Sequence, residues 1–267
     1  MRRPGALRMR YHIDTIPIWD ALKLDTECLL CALRRQTEHR LTERSLGASV
    51  MSPDTRILVN QTGFCCQHQA MLYDFQGGNR LGHALMMLSH LQTILPKVDK
   101  ALSQNSIHAS RKTALRLSHM PFKTALRHAE HANSLASLSS RCLICDELEA
   151  LSNLQAENLL HLWKTDTAFQ TAFSRSRGLC LPDVSRVLEK APELLNGEDL
   201  DNLYFTLKQL LKSSLDSLEK ELTWYTQKFD YRNTDKPWGS SKDALERTVN
   251  KLRGWCLGSE PIHDDAI

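Results

Sequence analysis

Aromatic residues, glycine and proline are scarce in this sequence. Phe, Trp and Tyr together make up 6% of the 267 residues, and there are only 11 Gly and 9 Pro, whereas Leu dominates. This mixture favours helices over strands and turns. No apolar run approaches the roughly 18 residues that a membrane-spanning helix needs, so no membrane span is predicted.

A large excess of one charge is also missing. The formal net charge is +3, with 24% charged and 42% apolar residues, which is ordinary for a soluble globular protein. Such a small excess does not by itself indicate nucleic-acid binding. The basic N-terminus, MRRPGALRMRYHIDTIP, lacks the apolar core of a signal peptide, so we expect a cytoplasmic protein.

The sequence contains none of the common catalytic signatures. No P-loop, dinucleotide-binding fingerprint, G-x-S-x-G or H-E-x-x-H occurs. Kinase, nicotinamide-dehydrogenase and hydrolase functions therefore have no positive support. We lean towards a protein that is not an enzyme.

Cysteine is the residue type that stands out. Eight cysteines occur, and because reducing compartments keep thiols reduced, structural disulfides are not expected in a cytoplasmic chain. Six of the eight fall into two sets of motifs, which leaves Cys66 and Cys256 outside them.

The two sets share one spacing. A C-x-x-C at 28–31 is followed by Gly63-Phe64-Cys65-x-x-His68, and a C-x-x-C at 142–145 is followed by Gly178-Leu179-Cys180-x-x-Asp183. The second cysteine of each pair precedes the next motif by 34 positions in the first set and 35 in the second. This agreement predicts an internal repeat of roughly seventy residues.

The spacing suits a metal ion. A C-x-x-C lets two thiolates reach one ion, and a second such motif supplies the other two ligands of a tetrahedron, for which zinc is the best match. We predict a first site formed by Cys28, Cys31, Cys65 and His68. Glycine before each second motif permits a tight backbone approach, often with positive φ.

The second predicted site departs from the first at its fourth ligand. It comprises Cys142, Cys145, Cys180 and Asp183. Three thiolates with a carboxylate are an unusual and more negative ligand set. Three interpretations stay open. Asp183 binds the metal ion, or His161 or a water molecule binds in its place, or the four residues bind no metal and only pack in the core.

Two other uses of the cysteines remain open as well. Buried cysteines can serve as small apolar residues. Thiols of a C-x-x-C at a helix start can cycle with a disulfide, and the same ligands can hold an iron-sulfur cluster. A simple thiol oxidoreductase does not need a second motif some 34 residues later, which favours zinc.

Hydrophobic periodicity predicts a mainly α fold of two related helical units, each clipped by a metal-binding knuckle, with a long C-terminal helix and a short last helix. The predicted division is 11–98 for the first unit, 99–140 for a basic connector, 141–198 for the second unit and 199–256 for the C-terminal helices.

Local signals refine the helix boundaries. A short helix opens near Pro17, Asn79 caps a leucine-rich helix, and residues 55–60, TRILVN, read as a short extended piece. A long helix is predicted from Asp199 to about Phe229. Ser240-x-x-Asp243 resembles a capping box for a last helix that stops at Gly254.

The connector carries a basic face. Basic residues recur there at three- or four-residue steps: Lys112, Arg116, His119, Lys123, Arg127 and His131. Such a face can bind phosphate backbones or an acidic partner. A solvated connector is the competing interpretation.

Polar and aromatic residues gather near both ends of the chain. Three lie near the N-terminus: His12, Asp14 and Asp20. Five lie near the C-terminus: Asp230, Tyr231, Arg232, Asn233 and Trp238. Arg232 paired with Asp14 or Asp20 would form a structural clasp. The same residues could instead line a ligand pocket.

These motifs carry a resemblance to a known family. The chain resembles an uncharacterised bacterial family of cytosolic proteins. Besides the cysteine motifs, three segments carry this resemblance: YHIDTIPIWDALKLD at 11–25, YDFQGGNRLGHALM at 73–86 and KFDYRNTDKPWGSSKDALERTVNKLRG at 228–254. The family pattern has His at both fourth positions, so Asp183 is a departure. The resemblance also implies that residues 1–8 are an extension, and it implies no function.

The sequence as a whole predicts a metal-binding helical protein with zinc as cofactor and an unknown protein partner. A redox protein using C-x-x-C thiols or an iron-sulfur cluster is one alternative. A nucleic-acid-binding protein that uses the basic connector is another.

Overall fold

A computed structural model describes residues 14–75, 77–103 and 132–258, apart from the side chain of Ala48. Every regular element of these ranges is a helix, which confirms the mainly α fold. The main helices are α1 (Ile16–Leu22), α2 (Leu29–Leu46), α3 (Pro53–Thr62), α4 (Cys66–Asp74), α5 (Arg80–Ser103), α6 (Leu143–Thr165), α7 (Thr167–Phe173), α8 (Leu181–Leu194), α9 (Gly197–Gln227) and α10 (Ala244–Arg253). Short 3-10 helices occupy Ala48–Met51, Tyr231–Asn233 and Gly239–Ser241.

Capping residues explain several helix starts. Asn79 Oδ1 accepts a hydrogen bond from Gly82 N at 2.7 Å at the start of α5, which confirms its predicted role. The last helix begins after Asp243 rather than at Ser240, because a 3-10 turn occupies Gly239–Ser241. It ends at Gly254, with φ 85°, as predicted.

The extended piece predicted at 55–60 was wrong, because these residues lie within α3. Ser52 Oγ accepts a hydrogen bond from Thr55 N at 3.4 Å, and Pro53 stands in the first helical turn. This start signal outweighs the strand preference of the β-branched residues that follow it.

The described chain forms two compact units. Unit 1 contains residues 14–37 and 150–258, and unit 2 contains residues 38–75, 77–103 and 132–149. Helix α2 therefore begins in unit 1 and ends in unit 2, whereas α6 begins in unit 2 and ends in unit 1. The four segments into which the sequence divides the chain stay a prediction.

The core of unit 1 is built around aromatic rings. Phe169 and Phe173 are fully buried and stack with centroids 5.8 Å apart, and Trp163 meets Phe173 edge-on at 6.1 Å. Cys28 and Cys180 belong to this same cluster. Both residues are therefore buried at the edge of this apolar core.

Unit 2 has two smaller cores. Leu41, Leu72 and Ile144 are central to one of them, and the other contains Val59 and Met86. Among the described helices of the whole chain, none is long and apolar enough to cross a membrane.

Candidate metal centres

Two groups of four potential metal ligands form among the described residues. Site A, in unit 1, consists of Cys28, Cys31, Cys180 and Asp183. Site B, in unit 2, consists of Cys65, His68, Cys142 and Cys145. In each group the four ligand atoms all lie within 4.8 Å of one another.

The eight residues are those predicted, but the predicted pairing was wrong. Cys28 and Cys31 do not share a site with Cys65 and His68, and the second predicted set is divided in the same way. The cause is the path of the chain. After the first C-x-x-C the chain leaves unit 1 along α2, so the next motif lies in unit 2; α6 makes the reverse passage.

All eight ligands lie at the N-termini of helices. Each motif places its first ligand immediately before a helix and its second three residues later, in the first turn: the helices are α2, α4, α6 and α8. Side chains at these two positions approach the same point, as they do in a capping box. Each site therefore joins two helix starts.

Backbone hydrogen bonds confirm this arrangement. The carbonyls of Cys28 and Cys142 accept the first helical bonds, from Ala32 N at 3.1 Å and Asp146 N at 3.0 Å. The sulfur of Cys28 also accepts from Cys31 N at 3.4 Å. The positive end of a helix dipole favours thiolates, which are the form that binds metal.

The distances in site A are those of a tetrahedron without its centre. Asp183 Oδ2 lies 3.1 Å from the sulfur of Cys28, 3.4 Å from that of Cys31 and 3.3 Å from that of Cys180. The sulfurs of Cys31 and Cys180 are 3.5 Å apart. Ligands about 2.0–2.3 Å from a central zinc ion would be separated by about 3.3–3.8 Å. Asp183 thus completes the group, and His161 does not belong to it.

Site A is buried. Cys28, Cys31 and Cys180 are 2%, 6% and 0% exposed. Burial raises the pKa of the Cys28 thiol well above its ordinary value. Hydrogen bonding among the thiols is the main cause that raises the pKa of Cys31 and of Cys180. Such thiols need a cation nearby to become thiolates at neutral pH.

Site A has a buried cation in its surroundings. Lys251, on α10, is 0% exposed, and its Nζ donates hydrogen bonds to the backbone carbonyls of Glu27 at 2.9 Å and Arg177 at 2.5 Å. These residues directly precede Cys28 and Gly178, so Lys251 joins the two segments that deliver the ligands. Burial lowers the pKa of Lys251, while the charges of Glu27, Cys28 and Cys180 oppose that shift.

Two further groups surround site A. Arg186 Nε lies 3.6 Å from Asp183 Oδ1, the carboxylate oxygen that faces away from the thiols. The backbone N–H of Trp255 donates to the sulfur of Cys31 at 3.4 Å. Hydrogen bonds and charges of this kind orient ligands and offset the charge of a thiolate site.

Site B centres on one imidazole nitrogen. His68 Nδ1 lies 3.2 Å from the sulfur of Cys65, 3.3 Å from that of Cys142 and 3.4 Å from that of Cys145. The sulfurs of Cys65 and Cys145 are 3.7 Å apart. Cys145 is exposed, whereas His68 and Cys142 are buried. Site B is therefore more open to solvent than site A.

A carboxylate orients the histidine of site B. His68 Nε2 lies 3.1 Å from Glu38 Oε1, and both side chains are buried. Although burial lowers the pKa of His68, hydrogen bonds with Cys142 and Glu38 raise it to about 10. Burial raises the pKa of Cys142, but the hydrogen bond with His68 and others lower it to about 6. A carboxylate behind a histidine is the usual support of a metal-binding imidazole.

Glycine shapes the second motif of each site. Gly63 has φ 65° and Gly178 has φ 76°, in the region that favours glycine. The carbonyl of Gly63 accepts a hydrogen bond from Leu143 N at 3.0 Å, which ties the two motifs of site B together. The positive φ expected at both positions is confirmed.

The other predicted site residues are only partly described. Arg232 pairs with Asp230 at 2.5 Å, and Asp20 pairs with Lys23 at 2.8 Å, rather than forming the proposed clasp. Lys228 Nζ donates a hydrogen bond to the backbone carbonyl of Asn233 at 2.6 Å and lies 5.3 Å from the centre of the Trp238 ring. The backbone carbonyl of Asp14 accepts a hydrogen bond from Asn158 at 3.2 Å. Tyr231 lies beneath the guanidinium of Arg232, which is 5.9 Å from the centre of the Tyr231 ring. Seven further predicted residues lie outside the described ranges: His12, Lys112, Arg116, His119, Lys123, Arg127 and His131.

Sequence reasoning missed Glu38, Lys251 and Trp255. Glu38 and Lys251 look like ordinary charged residues of amphipathic helices, and no motif distinguishes them. One signal could have pointed to Lys251: it follows Ala244 by seven residues, or about two turns, so both lie on the same side of the last helix.

The fold of the described residues and the two sites define a mainly helical protein with two thiol-rich groups suited to metal ions. The chain belongs to a family of unknown function, DUF6062, whose match covers residues 9–259. No curated protein and no solved structure matches the chain.

Proposed function

We propose that this protein binds two zinc ions, one in site A and one in site B, and that the ions have a structural role. The observation that carries the proposal is the convergence of four ligand atoms within 4.8 Å in both groups. Each group draws on two motifs that are far apart along the chain. Apolar packing alone would not require so many sulfur, nitrogen and oxygen donors to meet at one point.

The donor sets favour zinc. Three thiolates with an imidazole nitrogen, as in site B, are a common structural zinc set. Three thiolates with a carboxylate, as in site A, leave two negative charges in excess on a divalent ion. Lys251 near Cys28 and Cys180, and Arg186 near Asp183, supply compensating positive charge. The unusual ligand set of site A is thereby balanced.

A structural role follows from the number of protein ligands. Four protein ligands close a tetrahedral site, whereas catalytic zinc keeps one position for water or substrate. Each ion would hold two helix starts together. We infer that the two halves of the chain are copies of one unit, and that each C-x-x-C forms its site with the second motif of the other copy. We further infer that the protein is cytoplasmic and serves as an interaction module for a protein partner.

A redox function is the second candidate, and one observation favours it at site B. The pKa of the buried Cys142 is lowered to about 6, and Cys145 beside it is exposed, although burial and the hydrogen bond with Cys142 raise the pKa of Cys145 to about 12; a low-pKa thiol next to an exposed one is a feature of reactive thiol pairs. Site A lacks these features, since its thiols are buried and their pKa values are raised. An iron-sulfur cluster could use the same ligands. Nucleic-acid binding through residues 112–127 stays a prediction.

Elemental analysis of the freshly purified full chain tests the proposal. We expect a colourless protein with about two zinc ions per chain. Thiol titration should find the six motif cysteines protected until a chelator removes the metal. A brown protein containing iron, or a metal-free protein with freely reactive motif thiols, would overturn the zinc assignment.

A matched pair of variants sharpens this test. Cys180→Ser removes a ligand of site A and should lower the zinc content by about one ion per chain. Cys66→Ser changes an exposed cysteine next to a ligand of site B and should leave the content unchanged. Equal zinc content in the two variants would count against a site at Cys180.

A further inference from the structure

Helix α5 carries an exposed row of leucines. Six leucines of this helix are between 39% and 71% exposed: Leu81, Leu85, Leu88, Leu91, Leu95 and Leu102. At 100° per residue they fall within an arc of about 120° on one side of the helix. We name this surface the leucine face.

The opposite side of α5 is packed within unit 2. Met86 is fully buried in a core with Val50 and Val59. Ser89 Oγ donates to Asn60 Oδ1 at 2.9 Å. Helix α5 is thus anchored through one side, while its leucine face points away from the core to which α5 contributes.

The leucine face is large for an exposed surface. From their exposed fractions, the six leucines present about 500 Å² of apolar surface, which is in the upper part of the range of about 300–600 Å² for the largest apolar patch of a monomer, a patch that is often functional. Two such faces packed together would bury about 1,000 Å² in total from leucine alone. This is close to the lower limit of specific protein interfaces, and neighbouring side chains would add to it.

The pattern along α5 is self-complementary. In an antiparallel pair of α5 helices centred between residues 91 and 92, Leu81 lies opposite Leu102 and Leu88 lies opposite Leu95. Leu85 then lies opposite Val98, so apolar residues meet at these positions, whereas Leu91 lies opposite Gln92 and Ala84 opposite Asp99. A two-fold symmetric interface requires this kind of match between a surface and itself.

We propose that the leucine face is the interface at which two copies of this chain form a dimer. The occupant is a second copy because most leucines of the face meet apolar residues of the same face in the antiparallel pair, and because two faces together bury about 1,000 Å², close to the lower limit of specific interfaces. This proposal is independent of the metal sites, whose ligands lie on other helices.

Sedimentation equilibrium of the full chain between about 1 and 100 µM tests the proposal. We expect the wild-type protein to be dimeric over most of this range. The double variant Leu88→Glu/Leu95→Glu should be monomeric, with a dissociation constant raised at least about 100-fold, since it places carboxylates at the centre of an apolar interface.

Matched controls separate this effect from misfolding. Leu154→Glu and Leu245→Glu change leucines that are 39% and 46% exposed on other helices, and both should remain dimeric. Circular dichroism and metal content should match wild type in every variant. The proposal is overturned if the wild-type chain is monomeric at 100 µM, or if the double variant remains dimeric. A wild-type monomer whose α5 amides and leucines are nevertheless protected would show that another part of the same chain covers the face.

Discussion

Replacing Lys251 by Met should destabilise the protein strongly through the surroundings of site A. Methionine keeps the length of the side chain but removes its charge and its donors. The carbonyls of Glu27 and Arg177 then lose a buried partner, at about 1–3 kcal/mol each. The Glu27 carboxylate keeps Arg177 at 2.6 Å and Arg247 at 3.3 Å, so it is not left unpaired. We expect the free energy of unfolding to fall by about 3–5 kcal/mol.

The same substitution should weaken zinc binding at site A alone. One of the positive charges near its three thiols is removed, and we expect the affinity to fall about tenfold or more. Urea unfolding of the zinc-loaded protein, followed by circular dichroism, measures the stability. Competition with a coloured chelator measures the affinity, and site B serves as the internal reference.

A control lysine separates these effects from a general loss of charge. Lys212 is 73% exposed at its side chain and pairs with Asp216 on the surface of α9. Lys212→Met should change the free energy of unfolding by less than about 0.5 kcal/mol. If Lys251→Met behaves like Lys212→Met in both measurements, the role assigned to Lys251 is refuted.

Two further predictions concern backbone shape and ligand support. Gly63→Ala should lower the free energy of unfolding by about 1–3 kcal/mol, because Gly63 has a positive φ and a Cβ there would lie 2.7 Å from His90 Nε2. Gly77→Ala is the control: its φ is 76°, but the added Cβ would meet nothing within 4 Å. For the control, urea unfolding should show a smaller loss of stability, and chelator competition should show no loss of metal. Glu38→Gln should lower the zinc affinity of site B about 10- to 100-fold, since the carboxylate behind His68 is lost. Site A should keep its metal in the same competition assay. Equal effects on both sites would contradict the role assigned to Glu38.

Local structure was largely predictable because its signals are local. Asn79 lies directly before the helix that it caps, and the leucine periodicity of α9 extends over many turns. The error at 55–60 arose because strand preference was weighed above a Ser-Pro helix start. Both signals were present in the sequence, and the structure shows which was stronger.

The ligand types were predictable, but their partners were not. A C-x-x-C spacing identifies two ligands at one helix start, which is again local information. Which second motif completes the site depends on where α2 and α6 carry the chain, and no short pattern encodes that path. Lys251 illustrates the same limit, because the carbonyl of Glu27 that it binds is 224 positions away along the sequence.

Zinc counting in two double variants tests the central claim, the crossed pairing of the motifs. Cys31→Ser/Cys180→Ser removes two ligands of site A, so about one zinc ion per chain should remain. Cys31→Ser/Cys65→Ser removes one ligand from each site, so both ions should be lost or bound much more weakly. If the second variant retains one ion and the first loses both, the motifs pair in sequence order and the crossed pairing is wrong.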